Sequence, residues 1–109
     1  MKWKIEYYNE KVAGSIFKLP ASLLARYIRY TDLMQSHGPN LGMPHTKHLE
    51  KDILELRLKG KEGIARVIYC TIKNNKIMML HSFVKKQQKT PVKELNIARK
   101  RLVEVIENE

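Results

Sequence analysis

The spacing of hydrophobic positions changes several times along this chain. In KWKIEYY bulky residues alternate, which places Trp3, Ile5 and Tyr7 on one face of a first strand. Across NEKVAGSIFKLP the spacing becomes helical. Asn9 is a candidate cap, Val12, Ile16 and Phe17 share a side, and the segment stops before Pro20. PASLLARYIRYTDLMQSHGP predicts a longer helix, with Leu23, Leu24, Tyr27, Ile28, Thr31 and Met34 in register and Gly38-Pro39 as its stop. Two helices joined at a proline predict a helical hairpin. NLGMPHTKHLEK has no period and contains Gly42 and Pro44, so it reads as a loop.

After that loop the period becomes two. DILELRLK sets Leu54, Leu56 and Leu58 on one face and Glu55, Arg57 and Lys59 on the other. GKEG is a turn. IARVIYCTIK and KIMMLHSFVKK are two further strands, joined through Asn74-Asn75, a pair suited to a tight hairpin. Both are apolar at most positions of either parity, the pattern of central strands covered on two faces. In the last segment Thr90 is a candidate N-cap and Pro91 fits the first helical position. Val92, Leu95, Ala98, Leu102, Val105 and Ile106 form the apolar stripe. The predicted class is α+β, one domain over residues 1–109. An N-terminal strand and helical hairpin pack on an antiparallel β-meander, a C-terminal helix follows, and the helices lie on one side of the sheet.

Charge adds a partner class. The 109 residues hold 21 basic and 11 acidic side chains, a formal charge of +10, which attracts polyanions such as nucleic acid. No apolar run approaches the ~20 residues of a membrane span, and the N-terminus has no signal-peptide core. The single cysteine, Cys70, lies in an apolar run and reads as a small buried residue. With no partner for a disulfide it fits a reducing, cytoplasmic setting.

The cations are unevenly spread. From Lys85 to Arg101 there are seven (Lys85, Lys86, Lys89, Lys93, Arg99, Lys100, Arg101) against Glu94 alone. Arg66 is unusual, because it interrupts the apolar string IARVIYC. A cation there must meet water, a carboxylate such as Glu55 or Glu62, or a ligand phosphate. In a meander, Arg57, Arg66 and the Lys85–Lys86 strand end converge, which describes an anion site. A solvated surface is the default for Lys89, Lys93 and Lys100. His45 and His48 have ligand-like spacing, but only Glu50 and Asp52 lie near them, so no metal site is expected. His81 on its apolar strand is a core or rim histidine by default.

ILELRLKGKEGIARVIYC and KIMMLHSFVKKQQKTPVKELNIARKRL together resemble the RelE/ParE toxin superfamily, most closely its HigB-type, phage-derived Gp49-like branch. The shared marks are the ELR strand, the strand bearing Arg66, a strand end reading Phe-x-Lys-Lys, a Lys-Thr-Pro and an Ala-x-x-Arg helix. The resemblance implies a type II toxin–antitoxin toxin, an endoribonuclease that cuts messenger RNA on the ribosome without metal or other cofactor. It implies a HigA-type helix-turn-helix antitoxin as partner, operator DNA contacted only through that antitoxin, and no membrane. By the family pattern, Arg57, Arg66, Lys85 and Lys86 are the catalytic cations; Lys59, His81, Lys89 and Lys93 are candidate RNA contacts around them. After Phe83 there is neither Tyr nor His, so the proton donor some members carry near the C-terminus has no counterpart there. His81, a lysine or ribosomal groups are the substitutes. A ParE-like gyrase inhibitor and a non-catalytic nucleic-acid-binding module are the alternative functions.

Overall fold

The computed structural model describes residues 2–85 and 89–109. Lys86, one of the four expected catalytic cations, lies outside them. The elements are β1 (Lys4–Tyr7), α1 (Glu10–Phe17), α2 (Ala21–His37), β2 (Thr46–Glu50), β3 (Ile53–Gly60), β4 (Gly63–Ile72), β5 (Lys76–Val84) and α3 (Val92–Glu107). The α+β class and the N-terminal helical hairpin are as the periodicity predicts. Asn9 caps α1, its Oδ1 accepting from the Val12 N–H at 2.9 Å. Asn74 and Asn75 both take positive φ, 66° and 57°, as a tight hairpin between β4 and β5 requires.

Three features differ from expectation. The segment read as a loop contains β2, an edge strand antiparallel to β3. Lys47 and His48 are exposed in it, so no hydrophobic alternation announces it, and its order comes from backbone pairing. The sheet is mixed: β1 runs parallel to β5, giving the order β1-β5-β4-β3-β2. Helices also cover both faces instead of one. Alternation sends Leu56, Leu58, Val67, Tyr69 and Met79 against Ile16, Leu23, Tyr27 and Met34 of α1 and α2. The opposite parity sends Ile53, Ile68, Cys70 and Leu80 against Ala98 and Val105 of α3. Cys70 is fully buried, and burial pushes its thiol up to about 12, which makes it inert. Among the described residues no helix is long and apolar enough to cross a membrane.

A β-bulge decides which way β5 faces. Pairing with β4 slips between Ile68 and Tyr69, so Tyr69 opposes Met79 while Ile68 opposes His81. Leu80 is the extra residue. Before it, Ile77 and Met79 face α1 and α2; after it, Phe83 packs on the α3 side. Without the bulge every odd-numbered residue of this strand would face the hairpin. The inserted residue therefore brings the end of β5 onto the face that carries Arg66.

α3 begins at Val92 with Pro91 in the cap position and no side-chain cap. Thr90, expected as that cap, is used elsewhere. Of the basic run, Arg99 binds Glu50 through Nε and Nη2, at 3.1 and 2.7 Å, tying α3 to the edge strand. Arg101 donates to the Leu80 carbonyl at 2.7 Å and lies over the Tyr8 ring at 4.8 Å. These two cations hold the helix in place.

Candidate active site

The strand register sets Arg57 opposite Arg66, and Arg66 opposite Phe83. In the next row Lys47, Glu55, Ile68 and His81 stand side by side across four strands. The α3 face is therefore apolar beneath the helix and charged beyond it.

Glu55 is the centre of the charged part, only 2% exposed. A carboxylate buried to that extent has to be paired. Thr90 Oγ1 donates to its Oε2 at 2.5 Å. Arg66 Nε lies 3.2 Å and Arg57 Nε 3.8 Å from its Oε1. The Arg66 N–H is not aimed at that oxygen, so its attraction is of charge more than of an aligned hydrogen bond. Arg66 Nη1 donates to the Ala65 carbonyl at 3.2 Å. Of the two carboxylates expected as partners for Arg66, Glu55 is the one. Glu62 instead accepts from the Ser22 backbone N–H at 2.7 Å.

Lys85 completes the group. Its backbone N–H donates to the Ile64 carbonyl at 2.8 Å, prolonging the β4–β5 ladder by one residue. The residue is 9% exposed. Burial, then the neighbouring Arg66, hold its ammonium below the usual lysine range; Arg57 and Lys47 add to the effect and Glu55 opposes it. Arg66 is shifted the same way, chiefly by burial. Lys47, Arg57, Arg66 and Lys85 thus surround one carboxylate, leaving a net positive recess.

Two cavities open on this group. One, of about 210 Å³, is bordered by Lys47, Glu55, Arg57, Lys85, Lys89 and Thr90. The other, of about 460 Å³, is bordered by Tyr30, Met43, His45, Arg57, Lys59 and Arg66. Arg57, at 25% side-chain exposure, belongs to both. A third cavity, of about 630 Å³, lies at the far end of the sheet. Glu6, Glu104 and Glu109 share its wall with Lys73 and Lys76, a mixture unsuited to a polyanion.

The expected residues therefore separate. Arg57, Arg66 and Lys85 come together, and Lys59 and Lys89 border the cavities. His81 Nε2 is 2.8 Å from Glu94, its ring stacks on Phe83, and it borders neither cationic cavity. Lys93 is exposed on the first turn of α3, outside both linings. Sequence alone misses Lys47, because β2 shows no hydrophobic period, and misses Thr90 as a partner of Glu55, because its place before Pro91 is that of a cap. Among the described residues no three His, Cys, Asp or Glu side chains gather as metal ligands.

A family model for the phage-derived Gp49-like proteins matches residues 15–103. This chain belongs to that family. Its structure is similar to a chain of the archaeal RelE–RelB complex from Pyrococcus horikoshii, with a TM-score of 0.60 and 20% sequence identity, over 81% of this chain and 100% of that one. At that identity the likeness is one of fold. The chain is thus a Gp49-like protein with a RelE-like fold. No curated protein matches its sequence.

Proposed function

We propose that this Gp49-like protein is the toxin of a type II toxin–antitoxin pair and acts as a metal-independent endoribonuclease on messenger RNA at the translating ribosome. The observation that carries this reading is the meeting of Arg57, Arg66 and Lys85 around one buried carboxylate, in a recess open to solvent. RNA contains its own nucleophile. Attack by a 2′-OH on the adjacent phosphorus needs a base for its proton, positive charge on the phosphorane oxygens and a proton for the departing 5′-oxygen.

The recess offers each part. Arg57, the more open guanidinium, binds the phosphate oxygens, and Arg66 adds charge from beneath. Glu55 fixes both guanidinium groups on the sheet. Lys85, held below the usual lysine range, is the base, taking the 2′-OH proton in its neutral form. Lys47 or Lys89, protonated at the rim, supplies the proton to the leaving oxygen. The +10 charge suits fast, salt-sensitive capture of the transcript and of an oppositely charged segment of a HigA-type antitoxin. Operator DNA is contacted through that antitoxin.

Primer extension on a translated reporter messenger tests this reading. The expected result is discrete cleavage that persists in chelator and leaves a 2′,3′-cyclic phosphate. Single-turnover cleavage should rise with pH up to the lowered Lys85 pKa and then level off. Lys85→Arg, which keeps the charge and cannot give up its proton, should lack that limb. Intact transcript beside full growth arrest, or cleavage abolished by chelator, overturns the ribonuclease reading.

A further inference from the structure

We propose that the 460 Å³ cavity beside the phosphate site is a nucleobase subsite, in which Tyr30, His45 and Met43 hold one base of a single-stranded RNA whose phosphate lies at Arg57. The proposal rests on the ribonuclease reading and deepens it. A phosphate needs only cations, yet this cavity has a different second wall. The Tyr30 and His45 rings lie 4.5 Å apart between centroids with planes at 41°. Met43 beside them is 62% exposed, a large apolar side chain left open to solvent. Flat and polarisable groups of this kind bind the π face of a base, with little preference among bases. A duplex keeps those faces stacked inside, so the ligand is single-stranded.

The wall is preorganised with respect to the phosphate site. The Arg57 backbone N–H donates to the His45 carbonyl at 2.8 Å. Arg57 Nη1 approaches Met43 Sδ at 3.5 Å. Within the loop, Thr46 Oγ1 accepts from the Gly42 N–H at 2.8 Å and donates to Asn40 Oδ1 at 2.9 Å. Arg57 therefore borders the phosphate recess with its guanidinium and holds the base wall through its backbone. An apolar peptide side chain would also suit the rings, but Arg57, Lys59 and Arg66 around the same cavity favour a ligand that carries negative charge.

The test is binding of a fluorescein-labelled, fully 2′-O-methylated single-stranded oligonucleotide, which cannot be cut, followed by anisotropy. Tyr30→Leu keeps a helix former and an apolar side chain and removes the π face. It should weaken binding by about tenfold, the scale of one lost base–aromatic contact. It should leave the salt dependence unchanged, because no charge is lost. Against the same oligonucleotide made abasic throughout, Tyr30→Leu and wild type should bind alike. Wild-type affinity of folded Tyr30→Leu for the intact oligonucleotide overturns the subsite. If Tyr30→Leu does not fold, Met43→Ala replaces it; a several-fold loss supports the subsite and unchanged binding overturns it. Loss of the co-expressed antitoxin with unchanged RNA binding assigns the cavity to a protein segment and also overturns it. Arg57→Ala separates the two readings. If it weakens binding while Tyr30→Leu does not, the subsite alone falls; if neither matters, the RNA site falls with it.

Discussion

The two faces of the central sheet are made by alternate residues of the same strands, yet they are built for different ends. On the hairpin face, Leu56, Leu58, Val67 and Met79 are fully buried apolar side chains. The few polar atoms there are satisfied, as where Tyr7 and Tyr27 share a 2.7 Å hydrogen bond and the Tyr69 hydroxyl donates to the Pro39 carbonyl at 2.5 Å. The α3 face starts with the same apolar packing and then gives way to Glu55, Arg57, Arg66 and Lys85. There like charges crowd one carboxylate, and the fold itself disfavours one of the protons. One step along β3 thus passes from a residue that holds the protein together to one that stores charge against its own stability.

Substitutions on the two faces should separate these roles. The largest effect belongs to the hairpin face. Leu56→Ala should lose ~2–5 kcal/mol of stability in urea denaturation, since a fully buried leucine leaves a cavity. A loss below ~1 kcal/mol would mean that this face is not the core described. Next comes Arg66→Ala, which should lower cleavage roughly a hundredfold, ~3 kcal/mol, while circular dichroism stays that of the folded chain. A folded variant that cuts at the wild-type rate would make Arg66 purely structural.

Lys85→Met should have opposite signs in the two assays, with cleavage lost and the melting temperature at pH 7 raised. The ammonium is disfavoured in the fold, so the folded pKa lies below the unfolded one near 10.5. Between those values the unfolded chain binds more protons, and wild-type stability rises with pH. The thermal gap between variant and wild type should therefore narrow as pH approaches 10.5. A gap that widens would reverse the assignment. The smallest effect is expected from Lys93→Ala, whose exposed cation contributes only screened attraction. Its cleavage rate should stay within about twofold of wild type at physiological salt.

Much of this architecture was legible in the sequence where packing imposes a period. The alternating leucines of ILELRLK place Glu55 and Arg57 together on the other face, and an arginine inside IARVIYC points to the charged recess. What stayed hidden depends on relations between distant segments. β2 is held by backbone pairing at an exposed edge, where side chains need no pattern. The bulge at Leu80 leaves no trace in a string that is apolar at both parities, yet it decides the side reached by the end of β5. Thr90 fits a helix cap as well as it fits a hydrogen bond to a carboxylate 35 positions earlier. Helix placement was missed for a related reason: an amphipathic stripe shows that α3 is covered, and connectivity decides which face covers it.

The long-range pairing of this sheet also sets a timetable. Lys4 stands in register with Lys76, and its backbone N–H donates to the Asn75 carbonyl at 2.9 Å, so β1 has no strand neighbour until β5 has been made. Contacts among β3, β4 and β5 are local by comparison, which lowers the loop-closure cost of forming them. The charged recess is incomplete until Thr90 has been made, because Glu55 takes a hydrogen bond from a residue 35 positions later. During synthesis these cations are made on separate segments, and they become one cluster only once those segments have packed together.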